Sequence, residues 1–204
     1  MNSKNTFSEK QSEVSRIKLA DFIPERTAVL VVDMVNDFFE DGGAMVLDGG
    51  KVLYEPHKTL LTKARESKMP VFWLNQDLAL DDTLFKTRAV HCVTGTWGAK
   101  IVDELLPVSD DVVISKRRYS GFFQTDLDLH LRERNIDTVI VTGVVTNICV
   151  RSTVHDAFFL NYRVLVPSDL VMATSIQAQE ITLYDIDTHY GKVTNLNEIM
   201  KAIR

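Results

Sequence analysis

Cysteine is scarce in this chain: Cys92 and Cys149 are the only two in 204 residues. Two thiols make no disulfide framework, so in a reducing compartment each is either a small buried hydrophobe or a reactive group. Glycine and proline are also sparse, at 9 and 5, which excludes collagen-like and low-complexity chains. No apolar run approaches the roughly 18 residues that would span a bilayer. No dense Lys/Arg run exists beyond Lys116-Arg117-Arg118, and the formal net charge is −5. That balance speaks against a nucleic-acid surface. Gly42-Gly43 and Gly49-Gly50 lack the spacing and the lysine of a phosphate loop, so no nucleotide cofactor is expected. Residues 1–16, MNSKNTFSEKQSEVSR, are polar and without the apolar stretch of a signal peptide, so a cytoplasmic protein is expected.

What the chain does have is a series of short, continuous, β-branched apolar runs: 28–32, 70–74, 112–114, 138–142 and 163–166. Continuous rather than alternating runs suit strands buried on both faces, as in a parallel sheet covered by helices. Helical patterns fill the intervals, over 55–68, 126–135, 146–160, 175–189 with Ser175 as N-cap, and 195–203. Alternation of this kind predicts an α/β fold. The expectation is a doubly wound, mostly parallel five- or six-stranded sheet with helices on both faces, a Rossmann-like three-layer α/β/α arrangement. Residues 1–26 read as a polar N-terminal extension that packs on a neighbouring subunit, and 27–204 as one domain.

In such a sheet, ligands bind beyond the carboxyl ends of the strands. Asp33 follows the first run, Lys116 the third, and Gly143 to Cys149 the fourth. An acid, a base and a thiol therefore converge on one edge. Cys149 lies where a strand ends and a helix begins, so a helix dipole and a nearby ammonium would favour thiolate. A core cysteine is the alternative. Asp33 and Lys116 are costly after buried strands unless they pair. They read either as a structural ion pair or, with the thiol, as a triad in which Cys149 attacks, Asp33 carries the proton and Lys116 holds anionic states.

Three stretches match a known pattern: Val31-Val32-Asp33-Met34-Val35-Asn36-Asp37-Phe38, then Lys116 with Arg118 to Phe123, then Gly143 to Val150 with Ser152-Thr153 and Asp156-Ala157. Over roughly residues 27–195 the chain resembles the isochorismatase-like cysteine hydrolases, the group of nicotinamidases, N-carbamoylsarcosine amidases and ureidoacrylate amidohydrolases. The resemblance implies catalysis by Asp33, Lys116 and Cys149, a cis peptide between Val144 and Val145, and an oxyanion hole from the N–H groups of Val145 and Cys149. It also implies a thioester intermediate and a homo-oligomer, dimer or tetramer.

The chain departs from the nicotinamidase pattern in two places. Ala79 stands where the first metal-binding histidine would follow Asp77, leaving His91 as the other matching ligand, so no metal is expected. Phe38 matches one ring-stacking aromatic, but Arg88 replaces the second. A guanidinium there suits a carboxylate-bearing amide or ureido compound, with Arg118 and Tyr119 as further substrate contacts. The expected activity is a cofactor-independent amidohydrolase acting on the C–N bond of such a compound. The rivals are a metal-assisted nicotinamidase and a catalytically silent member of the fold.

Overall fold

The computed structural model describes residues 22–203. Most of the expected extension, residues 1–21, lies outside that span. Its last residues, Pro24–Arg26, form one 3-10 turn.

The apolar runs become a seven-stranded sheet: β1 Thr27–Val32, β2 Val71–Gln76, β3 Val112–Lys116, β4 Thr138–Val144, β5 Arg163–Pro167, β6 Val171–Met172 and β7 Lys192–Thr194. Every pairing is parallel, in the order β3-β2-β1-β4-β5-β7, with β6 beside β4. The count exceeds the five or six expected because β6 and β7 span two and three residues. Strands that short carry no apolar run to find in the sequence.

The helices are α1 Asn36–Phe39, α2 Tyr54–Glu66, α3 Leu127–Glu133, α4 Arg151–Phe159, α5 Ile176–Asp185 and α6 Leu196–Ala202. Two of the expected helices contain a π-helical turn. Thr146–Val150 precedes α4, and Ile186–Tyr190 follows α5. Ser175 caps α5 as expected, its hydroxyl accepting from the Ala178 N–H.

Successive strand residues point to opposite faces of a sheet. Val29 and Val31 join Leu60 and Leu61 of α2 and Ile199 of α6 on one face. Leu30 and Val32 join Leu127 and Leu131 of α3 and Val154 of α4 on the other. This double burial explains why β1, β2 and β4 read as unbroken apolar runs. Among the described residues no helix is long and apolar enough to cross a membrane.

Gly143, near the end of β4, has φ +97°, and a Cβ there would collide with the Val32 backbone. Only glycine combines that conformation with so close an approach. It brings the end of β4, and the turn after it, against the end of β1, where Asp33 leaves the sheet.

Candidate active site

Asp33 directly follows β1 with a positive φ of 52°. Its N–H donates to the Leu74 carbonyl and its own carbonyl accepts from the Val35 N–H. This left-handed kink turns the chain out of the sheet after the acid is set. One carboxylate oxygen accepts the Gln76 N–H at 2.7 Å, and the other accepts from Lys116 Nζ at 2.7 Å. Both side chains are 0% exposed.

Lys116 is the last residue of β3, so its stem runs through the core and its ammonium meets Asp33 at the sheet edge. Nζ also donates to the Arg118 carbonyl at 3.4 Å. Burial works against the charged ammonium, but Asp33 and the Cys149 sulfur outweigh it and hold the pKa above its ordinary value. Removing either member would strand a buried charge.

Cys149 sits in the π-helical turn Thr146–Val150 and is 4% exposed. Its thiol interacts with both Lys116 and Asp33. The expectation of a thiolate favoured by dipole and lysine needs correcting. Burial pushes the thiol up, Lys116 pulls it down and Asp33 pushes it up again, leaving it above its ordinary value of 9.0. The sequence-based expectation weighed the cation and omitted desolvation. The cluster is therefore a buried ion pair beside a thiol whose ionisation burial and Asp33 oppose and Lys116 favours.

Val145 directly precedes the π turn, and the Val144–Val145 peptide is cis. The Thr153 hydroxyl donates to the Cys149 carbonyl at 2.8 Å and accepts the Gly121 N–H at 3.0 Å. This one side chain ties the loop after Lys116 to the turn that carries Cys149. Three buried polar atoms in this region have no partner within the described protein: Asn75 Oδ1, Gln76 Nε2 and Thr146 Oγ1.

The other expected site residues divide into two groups. Phe38, on α1, is 4% exposed and packs on His91, with ring centroids 5.8 Å apart. Arg88 and Tyr119 come together from separate loops, Arg88 Nε donating to the tyrosine hydroxyl at 3.2 Å. Arg118 instead turns toward Asp82, as does Arg117. Asp82 is buried, and the Leu84 N–H and the two guanidiniums hold its carboxyl at about 2. The cleft these arginines line, with Asp77, Ala79 and Phe123, measures 710 Å³ and lies at the ends of β2 and β3. Asp33, Lys116 and Cys149 do not line it.

Asp77 accepts from the Ser115 hydroxyl. Both His91 nitrogens face oxygens, Ala89 O at 2.7 Å and Gln76 Oε1 at 3.2 Å. Among the described residues no group of three or more His, Cys, Asp or Glu could hold a metal ion. Cys92 is fully buried at φ +47°, its N–H donating to Asp37.

Three positions escaped the sequence reading. Gln76 anchors Asp33, Asp82 clamps the arginine pair, and Asp37 receives the N–H groups of Ala44 and Cys92. For Gln76 a signal existed, since it too stands at a strand's carboxyl end.

Residues 27–198 match the isochorismatase domain family. The chain is 34% identical over 217 residues to the ureidoacrylate amidohydrolase RutB of Cronobacter turicensis, covering 93% of this chain and 94% of that one. Among solved structures, a cysteine hydrolase from Pseudomonas syringae pv. phaseolicola superposes with TM-score 0.86 at 30% identity, covering 94% of this chain and 98% of its own. N-carbamoylsarcosine amidase from Thermoplasma acidophilum gives TM-score 0.77 at 32% identity, covering 84% and 97%.

Proposed function

The chain belongs to the isochorismatase family, and from that premise we propose that it is a cysteine-dependent amidohydrolase cleaving the C–N bond of a small, carboxylate-bearing amide or ureido compound. The observation that carries this reading is the fully buried Asp33–Lys116 pair at 2.7 Å with the Cys149 thiol interacting with both. A charge pair withdrawn from water beside a thiol costs stability and suits proton transfer.

In the first step the Cys149 proton passes to Asp33 as the sulfur attacks the substrate carbonyl carbon, so no standing thiolate is needed. The oxyanion that forms accepts hydrogen bonds from the N–H groups of Val145 and Cys149. Collapse breaks the C–N bond. The leaving ammonia or amine takes the proton from Asp33 and a thioester remains. Water then attacks the thioester, gives a proton to Asp33 and expels the sulfur, which regains the proton as the acid departs. Lys116 stays charged throughout and offsets the negative charge as it moves from carboxylate to sulfur to oxygen.

Substrate polarity follows from Arg88, exposed and joined to Tyr119. A guanidinium so placed can bind a carboxylate, with Phe38 as an apolar wall. The RutB relative acts on ureidoacrylate by its name, which agrees with an acidic ureido substrate. Exposed Phe158, Phe159 and Tyr184 on α4 and α5 support a homo-oligomer.

The deciding experiment is ammonia release from ureidoacrylate, N-carbamoyl amino acids, maleamate and nicotinamide, with Cys149→Ala as control and with chelator present. Turnover of an acidic compound that survives chelator and vanishes in Cys149→Ala is expected. Turnover of nicotinamide alone, abolished by chelator, would overturn both the substrate class and the metal-free mechanism.

A further inference from the structure

Gln76 is the last residue of β2 and is 1% exposed. Its backbone N–H holds Asp33, and its register partner on β3 is Lys116. Strand alternation places it on the face of Phe72 and Leu74, the face whose core cluster contains Cys149. Its main chain thus borders the Asp33–Lys116 pair, and its carboxamide extends from the same face of the sheet to His91. One end of that carboxamide meets His91 Nε2 at 3.2 Å, and the other has no partner among the described residues.

His91 decides which end is which. Its Nδ1 lies 2.7 Å from the Ala89 carbonyl, which can only accept, so Nδ1 carries a proton. The ring is 5% exposed and lies 5.8 Å from both Phe38 and Phe85. Neither hydrogen bond of His91 reaches a carboxylate that would favour an imidazolium. The neutral ring then offers a lone pair at Nε2, which calls for a donor. Oxygen and nitrogen of a glutamine amide are nearly isosteric, so their partners assign them. Turned by a half rotation, Gln76 donates Nε2–H to His91 and leaves Oε1 as the free, buried acceptor.

We propose that Gln76 is a substrate-recognition residue whose Oε1, oriented by the Ala89–His91 relay, accepts an N–H of the bound amide or ureido group. This rests on the amidohydrolase reading above. An unmet buried acceptor costs stability until something donates to it. A compound carrying a carboxamide or ureido N–H would supply that donor, whereas an ester or a tertiary amide would not.

Iodoacetamide and its N,N-dimethyl derivative test this without knowledge of the substrate, since one carries amide N–H groups and the other none, and the comparison of parent with Gln76→Met separates that difference from the added bulk of the methyl groups. Each rate of Cys149 alkylation is divided by the same reagent's rate with free glutathione. The intact protein is expected to favour iodoacetamide about three- to tenfold, the range of one neutral hydrogen bond. Gln76→Met should abolish the preference, while its urea midpoint shifts little, because the loss of one unmet polar atom offsets the hydrogen bond lost from His91. A Gln76 with a purely structural role would give the reverse, a lower midpoint with the preference intact, and would overturn the proposal. Nitrogen NMR of the His91 ring should give a neutral Nδ1–H tautomer; an imidazolium would overturn the assigned orientation. If neither reagent alkylates Cys149 in preference to Cys92, the cysteine mechanism itself falls. If only the preference is missing, Gln76 alone loses its role.

Discussion

Removing Lys116 and Asp33 one at a time, and then together, separates what this cluster does for folding from what it does for chemistry. The two side chains are 0% exposed and 2.7 Å apart. Lys116→Met leaves a buried carboxylate whose other strong contact is one backbone N–H. Asp33→Asn leaves a buried ammonium with the Arg118 carbonyl at 3.4 Å. Breaking such a pair from one side costs about 3–5 kcal/mol, out of a total stability of about 5–15. With a urea m-value of about 2 kcal/mol/M, each single variant should lose about 2 M in midpoint. The double variant replaces both charges with neutral groups of similar size, which is often neutral or stabilising. Its midpoint should return to within about 0.5 M of the parent, a coupling of several kcal/mol in the cycle. All three variants should lack amidase activity. Single losses below about 1 kcal/mol, or a double variant as unstable as the summed singles, would refute the view that these charges are held against the fold's own preference.

Three further outcomes are expected. His57 is buried, and burial lowers its pKa from 6.5 to about 4, so charging it opposes folding. Stability is full above the unfolded value and is lost as pH falls toward the folded one, by about 3 kcal/mol in all. Urea titrations at several pH values should show His57→Leu escaping that loss, and an equal acid sensitivity of the two proteins would count against it. Arg88→Gln should raise KM for a carboxylate-bearing substrate about 10- to 100-fold with kcat little changed, the signature of lost binding rather than lost chemistry. A fall in kcat at constant KM would contradict that role. Alkylation of Cys149 should keep accelerating as pH rises past the ordinary thiol value of 9.0, and Lys116→Met should delay it further; a plateau near neutrality would mean a standing thiolate.

Strand periodicity made most of this legible beforehand. The runs at 28–32 and 138–142 specified buried parallel strands, and the strand-end rule then put Asp33, Lys116 and the Cys149 turn on one edge. What stayed hidden depends on burial or on contacts between distant loops. The state of the Cys149 thiol turns on desolvation, which helix position does not report. The contact of Arg118 with Asp82, 36 residues earlier in the chain, cannot be recognised from spacing. Gln76 was overlooked because its main chain, not its residue type, holds the acid. β6 and β7 are too brief to leave a pattern.

The sheet order has a consequence for how activity is acquired. The acid leaves β1, one of its clamps is the end of β2, the other is the end of β3, and the thiol follows β4. These are four contiguous strands with none skipped. The carboxylate and the lysine precede the cysteine along the chain, and Gly143 lets β4 lie close against β1 just ahead of the thiol's turn. On the proposed mechanism, molecules in which β4 has not docked beside β1 lack the assembled cluster, so the return of activity after dilution from denaturant should report completion of the central sheet.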